Sequence, residues 1–400
     1  MSAGVVIAGG GLAAQRCCET LRSRGFDGGI RMVSEENRPP YDRPPLSKAV
    51  LSGERDPASL GFRAPEWYTD HAVELILGER AVALDPTHRA VALASGQALP
   101  YESLVVATGS RPRVLPGTEH LLDAHTLRTA DDAVRLAEVI AGGGRLVIVG
   151  AGFIGLEVAA TARRAGLQVT VLEAAPAPLL RVLGPELAGW FTDLHRAEGV
   201  EIVLCAQIAR FGHASGGTEW VQLADGRRLE GEAVLIGVGI EPATEWLTGC
   251  GLDAGGVRVD LAGRTTIPDV YAAGDAARTF NRVTRAYERS EQWEAAARQG
   301  AQVARAILGL PRAPAALPSF WTDQYGLRIQ LVGDARDADE VRIDGDPAGR
   351  DFEALILRAG TPIAGLAVGR PRALARLRAQ LQPTPGRIER SDNELSTPSR

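Results

Sequence analysis

The sequence predicts an α/β protein with two Rossmann-like nucleotide-binding units and a small α+β C-terminal domain. Three observations predict it. The first is Val5-Val6-Ile7-Ala8-Gly9-Gly10-Gly11-Leu12-Ala13-Ala14, a β-branched run, a glycine turn and a helical pattern, with Glu35 ending the next apolar strand. The second repeats that grammar at Leu146-Val147-Ile148-Val149-Gly150-Ala151-Gly152-Phe153-Ile154-Gly155, with Glu173 in the corresponding place. The first glycine of such a turn allows the bend and the second lets the backbone approach a pyrophosphate. The third, or an alanine, lets helix and strand pack closely, and the acid accepts from a ribose hydroxyl. The third observation is the alternation of strands with a final helix over residues 319–380, behind a linker marked by Pro311, Pro314 and Pro318.

The elements follow in order. Residues 4–35 read as strand, helix, strand. In Pro39-Pro40-Tyr41-Asp42-Arg43-Pro44-Pro45-Leu46-Ser47-Lys48 the prolines exclude continuous helix and leave a rigid loop running into a short helix at Leu46. Alternating apolar residues at 73–77, 81–84 and 90–93 predict antiparallel strands of an inserted sheet. Leu104-Val105-Val106-Ala107-Thr108-Gly109 is a buried strand closed by a glycine turn, after which Arg111-Pro112-Arg113 leaves the first unit. The second unit runs from near Leu115 to Val234-Leu235-Ile236-Gly237-Val238-Gly239-Ile240. Val270-Tyr271-Ala272-Ala273-Gly274-Asp275 is again strand then glycine, so the chain re-enters the first unit, and a helix is expected from about Ser290 to Leu308. The expected domains are 1–113 with 242–318, then 114–241, then 319–381, with a polar, disordered tail at 382–400.

Composition narrows the function classes. A net charge of −5 over 400 residues with no long basic run argues against a nucleic-acid binder. No stretch is apolar for the length of a membrane span, and Met1-Ser2-Ala3 leads directly into the first strand without a basic leader, so a cytoplasmic protein is expected. Of the four cysteines, none stand in a C-x-x-C arrangement, and Cys17 and Cys18 fall within the first predicted helix as core thiols. The scattered histidines have no ligand spacing, and no metal is expected.

Together these motifs resemble the NADH-dependent ferredoxin reductases, FAD flavoproteins serving Rieske oxygenases and bacterial cytochromes P450. They are related to rubredoxin reductases and apoptosis-inducing factor, and share the pyridine nucleotide-disulfide oxidoreductase fold. The resemblance runs from residue 4 to about 335. It rests on the paired fingerprints, Tyr41-Asp42-Arg43-Pro44-Pro45-Leu46-Ser47-Lys48, Ala107-Thr108-Gly109 and Ala273-Gly274-Asp275. Glu291-Gln292-Trp293-Glu294-Ala295-Ala296 with Gln299-Gly300, and Phe320-Trp321-Thr322-Asp323-Gln324-Tyr325, complete it. The resemblance implies FAD on the first unit and NADH on the second.

The implied FAD residues are Gly9, Gly11, Leu12, Ala13 and Ala14 at the pyrophosphate, Glu35 or Glu36 at the adenosine ribose, and Arg43 and Lys48 on the flavin side. Val82, Ala107, Thr108, Gly109, Arg128, Gly274, Glu291, Gln292, Trp293 and Trp321 add further cofactor contacts, with Asp275 on the ribityl chain. For NADH they are Gly150, Gly152, Phe153, Ile154, Gly155, Glu173, Arg181 and Gly239. A carboxylate at Glu173 repels a 2′-phosphate and favours NADH over NADPH, whereas Arg163, Arg164 and Arg181, nearby in sequence, act against that preference.

Three residues are expected to act on the chemistry. Lys48 and Glu157 are read as an ion pair beside the flavin, the alternative for Glu157 being simple stabilisation of a helix N-terminus. Trp321 is read as covering one face of the isoalloxazine, the alternative being ordinary core packing. The implied mechanism takes a hydride from NADH onto flavin N5 and returns electrons singly to a [2Fe–2S] ferredoxin, so no protein nucleophile is required. An acidic ferredoxin calls for a local basic patch. Arg63, Arg312 and the set Arg372, Arg376 and Arg378, spaced to share a helix face, are its candidates, a solvated face being the plain alternative. Two departures from the family pattern stand out: Ala243 after Pro242, where relatives often carry asparagine, and a poor match beyond about 336. The competing readings are a rubredoxin reductase, an NADH oxidase, or a redox-sensing interaction protein like apoptosis-inducing factor. Cysteine-dependent oxidases are excluded by the absence of Cys around Asp42-Arg43.

Overall fold

The computed structural model describes residues 4–281 and 284–381. The disordered tail expected from 382 lies outside them. The chain opens with β1 (Val5–Ala8), α1 (Leu12–Ser23) and β2 (Ile30–Ser34), followed by a 3₁₀ turn at Pro44–Ser47, α2 (Pro65–Asp70) and β3 (Val73–Leu77). β3 pairs in parallel with β2, Ile30 opposite Val73, and so extends the main sheet. This corrects the antiparallel assignment of 73–77: a period of two does not tell an edge strand of a parallel sheet from a hairpin strand. The inserted sheet is instead β4 (Ala81–Asp85), β5 (Ala90–Leu93) and β6 (Ala98–Pro100), an antiparallel meander. β7 (Ser103–Val106) then returns beside β1.

The chain crosses to the second unit through β8 (Ser110–Pro112). β9 (Ala124–His125), α3 (Ala130–Gly142), β10 (Arg145–Val149), α4 (Phe153–Arg164), β11 (Gln168–Leu172), α5 (Leu180–Ala197) and β12 (Glu201–Val203) follow. A capping box, Thr129 with Asp132, starts α3. A small antiparallel sheet of β13 (Ile208–His213), β14 (Glu219–Leu223) and β15 (Arg228–Gly231) precedes β16 (Ala233–Ile236). β17 (Ile240–Pro242) leaves the unit antiparallel to β8, so the two crossings are hydrogen-bonded to each other.

The return passes through β18 (Val257–Val259), β19 (Val270–Ala272), β20 (Ala277–Asn281) and β21 (Ala286–Glu288) into α6 (Trp293–Ile307). β19 pairs with β7, giving a first sheet of order β19-β7-β1-β2-β3. The second sheet runs β12-β11-β10-β16-β9. In both, the order reverses beside the strand that carries the glycine turn, where a doubly wound sheet opens its ligand crevice. α6 packs on α1 so closely that a Cβ on Gly300 would lie 2.1 Å from the Ala13 carbonyl oxygen.

The third unit is an antiparallel sheet, β22 (Ser319–Gln324), β23 (Leu327–Gly333), β24 (Glu340–Asp346), β25 (Asp351–Arg358) and β26 (Thr361–Val368), in the order β22-β23-β26-β25-β24. It is covered by α7 (Ala373–Leu381). Ile329, Leu331, Phe352 and Ile356 of this sheet share one hydrophobic core with Leu146, Ile148, Leu156 and Phe191 of the second unit. No helix among the described residues is long and apolar enough to cross a membrane.

Candidate active site

Both glycine turns open onto one continuous cleft of about 2490 Å³. At the first, Gly9 has φ +125°, and a Cβ there would lie 2.0 Å from the Ala107 carbonyl oxygen, so only glycine lets β1 and β7 converge. Gly11 begins α1 without any side-chain cap, and a Cβ there would meet no protein atom within 4 Å. The first amides of α1 therefore face open space of the kind that takes an anion. The second turn repeats this: a Cβ on Gly150 would lie 2.5 Å from the Gly237 oxygen, while at Gly152 the nearest atom is 4.0 Å away. Gly155 and Ala14 do not line the cleft. Gly155 sits where a Cβ would meet the Gly150 oxygen at 2.1 Å, and Ala14 is fully buried, so both serve helix–strand packing.

The walls of the first half come from separated segments. Glu36 accepts from Arg43 Nη2 at 2.6 Å and from the Tyr41 hydroxyl at 2.6 Å, and Arg43 also donates to the Arg128 carbonyl. Glu36 and Arg43 thus clasp the proline-rich loop, while Glu35 stands exposed on the cleft. Asp275 Oδ2 accepts from Ser110 Oγ at 2.7 Å and Arg128 Nη2 at 3.0 Å. Asp42 accepts from Trp293 Nε1 at 2.7 Å, fixing the ring that meets Trp321 edge-on at 5.8 Å. Arg328 lies over the Trp321 ring at 5.1 Å. Leu12, Ala13, Thr108, Gly109, Gly274 and Glu291 line the same space, and burial raises the Glu291 carboxyl above its ordinary range. Val82 does not line it. β4 turns Ala81 inward and leaves the Val82 side chain exposed, which removes that side chain from the site.

Cofactor fit is tested by polar atoms that lack partners. Among the described residues, buried side-chain atoms without one are Trp246 Nε1, Arg289 Nη1 and Gln292 Oε1, and all three belong to residues of the cleft wall. Such atoms destabilise a fold unless a ligand satisfies them. Donors and an acceptor together suit a dinucleotide, which carries both.

Lys48 and Glu157 meet where the halves join, Nζ to Oε2 at 2.6 Å. The ammonium also donates to the Pro44 carbonyl at 3.1 Å and Ser47 Oγ at 3.2 Å. Glu157 is buried, with Ser47 Oγ on Oε2 and Thr322 Oγ1 on Oε1 at 2.6 Å. Ser47 and Thr322 were not among the expected site residues, although both flank residues that were.

In the second half, Glu173 Oε2 accepts from the Ala151 amide at 2.7 Å and Oε1 from the Ala175 amide at 2.8 Å, so it braces the glycine turn as well as facing the cleft. Phe153, Ile154, Arg181 and Gly239 line this half. Arg163 is turned to the carbonyls of Glu198 and Leu167, and neither it nor Arg164 reaches the cleft. Ala243 contributes only backbone: its amide donates to Gly109 and its carbonyl accepts from Thr108 Oγ1 at 2.6 Å.

The arginines expected as candidates for a basic patch differ in their partners. Arg376 is paired with both oxygens of Glu353, and Arg378 donates to Ser319 Oγ at 3.1 Å. Arg63 is paired with Glu19 at 2.7 Å. Arg312 and Arg372 are exposed. Cys17 and Cys18 are buried, and burial pushes both thiols up, Cys18 to about 12, which leaves them inert.

Residues 3–300 match the family model for pyridine nucleotide-disulphide oxidoreductases, and residues 319–390 match the reductase C-terminal model. The match therefore extends well past 335, where the sequence motifs thin out. The chain is 39% identical to the 5,5'-dehydrodivanillate O-demethylase ferredoxin reductase subunit of Sphingobium sp., over 94% of this chain and 92% of that protein. It is 37% identical to the biphenyl dioxygenase system ferredoxin--NAD(+) reductase component of Paraburkholderia xenovorans, over 92% and 90%. The crystal structure of the covalent putidaredoxin reductase–putidaredoxin complex superposes with a TM-score of 0.90 at 33% identity, covering 94% of this chain and 92% of that one. The chain belongs to the pyridine nucleotide-disulphide oxidoreductases, FAD- and pyridine-nucleotide-dependent proteins, and within them to the ferredoxin reductases of oxygenase and P450 systems.

Proposed function

We propose that this protein is an NADH-dependent ferredoxin reductase. It holds FAD on the first unit and NADH on the second, and passes electrons singly to a [2Fe–2S] ferredoxin that supplies a P450 or a Rieske oxygenase. The observation that carries the reading is the single cleft shared by two glycine turns, with Lys48 and Glu157 at their junction. Bound FAD would supply the redox chemistry, accepting a hydride and releasing electrons one at a time.

The chain's own residues hold and orient. The amides at Gly11 and Gly152 take the two pyrophosphates, Glu35 accepts from the adenosine ribose of FAD, and Asp275 takes the ribityl hydroxyls. Lys48 places a positive charge beside the flavin, and Trp321 with Trp293 walls it from solvent. Glu173 sets the preference for NADH, with Arg181 the nearby charge that limits it. We place the domain boundaries at the β8–β17 crossing and in the linker before β22. The names of the relatives support ferredoxin as the acceptor, since those proteins are reductase components of oxygenase systems.

The test is NADH-driven cytochrome c reduction by the purified yellow protein, with and without a [2Fe–2S] ferredoxin. Strong stimulation by the ferredoxin is expected. Intact NADH–ferricyanide turnover without stimulation would remove ferredoxin as the acceptor.

A further inference from the structure

Behind the Lys48–Glu157 pair runs a buried line of polar side chains from the second and third units. Thr322 Oγ1 lies 2.6 Å from Glu157 Oε1, Gln324 Nε2 lies 3.0 Å from Thr322 Oγ1, and His195 Nε2 lies 2.8 Å from Gln324 Oε1. The Tyr325 hydroxyl closes the line, 2.7 Å from His195 Nδ1. Glu157, Thr322, Gln324 and His195 are all buried.

The chemistry of each group dictates the direction of the line. Glu157, ionised against Lys48, only accepts, so Thr322 must donate its single proton to it. The Thr322 oxygen can then only accept, which turns the amide nitrogen of Gln324 toward it and the amide oxygen toward His195. His195 must therefore carry its proton on Nε2, and its bare Nδ1 accepts from Tyr325. Burial lowers the His195 pKa to about 4, which keeps the ring neutral in this tautomer at neutral pH. Every donor thus points toward Glu157. An amide in mid-line relays no proton, so the line orients its end group.

Local geometry supports this. Phe320, Thr322 and Gln324 share one face of β22, and Phe320 packs on Phe153 at 4.6 Å, so that face lies along α4. Tyr325 turns the β22–β23 hairpin at φ +53°, a conformation uncommon for an aromatic residue. The fold accepts it, and the hydroxyl reaches His195.

We infer that Thr322, Gln324, His195 and Tyr325 are positioning residues that fix the Glu157 carboxylate, and through it the Lys48 ammonium. The C-terminal unit then acts on the cofactor from behind the pair as well as through Trp321. This rests on the reading of Lys48 as a flavin-side cation.

The test uses full-length, FAD-loaded variants, read by the flavin midpoint potential and by steady-state NADH–ferricyanide turnover. Thr322→Val should lower the potential and Thr322→Ser should leave it in place. Thr322→Val keeps the shape and removes the donor. Its kcat should fall about tenfold, the typical effect of one hydrogen bond to a charged group, with KM for NADH unchanged. Thr322→Ser should restore kcat to within about twofold. In a Lys48→Met background, Thr322→Val should cause no further loss. An unchanged kcat in Thr322→Val, an equal loss in Thr322→Ser, or full additivity with Lys48→Met would overturn the inference. Wild-type turnover in Lys48→Met alone would instead overturn the placing of the pair beside the flavin. Should Thr322→Val not load FAD, Gln324→Met decides: the same split between kcat and KM supports the line, and an unchanged kcat refutes it.

Discussion

Gly11→Ala separates what the first glycine turn does for the fold from what it does for a ligand. At φ −91° alanine is unstrained, and its Cβ meets no protein atom within 4 Å. The cost to the fold is the poorer helix cap, about 0.5–1 kcal/mol. The methyl group does project into the space faced by the first amides of α1. Losing two charge-assisted hydrogen bonds to a pyrophosphate costs about 3 kcal/mol, or about a hundredfold in Kd. Titration of deflavinated protein with FAD should therefore show about a hundredfold weaker binding, with the melting temperature of the apoprotein lowered by only a few degrees. Gly152→Ala is the matched control, its Cβ at 4.0 Å from the nearest atom. It should retain FAD and raise KM for NADH. Wild-type FAD affinity in Gly11→Ala, or FAD loss in Gly152→Ala with NADH binding intact, would refute the assignment of cofactors to units.

Glu173→Gln should lower the NADH-to-NADPH ratio of kcat/KM about tenfold, because the charge that repels a 2′-phosphate is lost; an unchanged ratio would shift specificity to Arg181. Gly300→Ala should destabilise the protein by about 3 kcal/mol or more, read by denaturant unfolding, since α6 cannot move off α1 without opening the core. The buried neutral His195 has a folded pKa of about 4 against about 6.5 unfolded, so the unfolded chain takes up the proton first as pH falls. Its contribution is complete above about pH 6.5 and declines by up to about 1.4 kcal/mol per pH unit toward pH 4. Unfolding curves between pH 7 and 4.5 should show that slope, and it should be missing in His195→Gln.

The fold was legible because glycine turns, β-branched runs and prolines act locally. Gly9, Gly150 and their strands could have few other readings, and the return of the chain at Val270 followed from its resemblance to the strand at Leu104. The strand at 73–77 was misplaced because alternation reports one buried face and not the direction of its neighbour. In the site, Lys48 and Glu157 were legible through motif resemblance, and the structure brings them together. What surrounds them was not. His195 and Gln324 are distant in sequence and carry no spacing signal, so only the packing of β22 on α4 and α5 discloses them. The choice between Glu35 and Glu36 was likewise closed to sequence, because the partners that engage Glu36, Tyr41 and Arg43, also read as cofactor-loop residues. At the C-terminal helix, spacing alone likewise cannot reveal that Glu353 lies beside Arg376.

The position of β19 bears on how the protein is made. β7 has its outer neighbour only after β19 emerges, and the second unit is synthesised entirely in between. A nascent chain therefore carries a first sheet with one bare hydrogen-bonding edge and an α1 surface not yet covered by α6. Truncation anywhere before α6 should yield a sticky product and not a smaller functional domain. The second unit, by contrast, enters and leaves through the adjoining strands β8 and β17, so its ends are already close together. That arrangement is the one an inserted block leaves, yet excising it now would bare the core it shares with the C-terminal sheet.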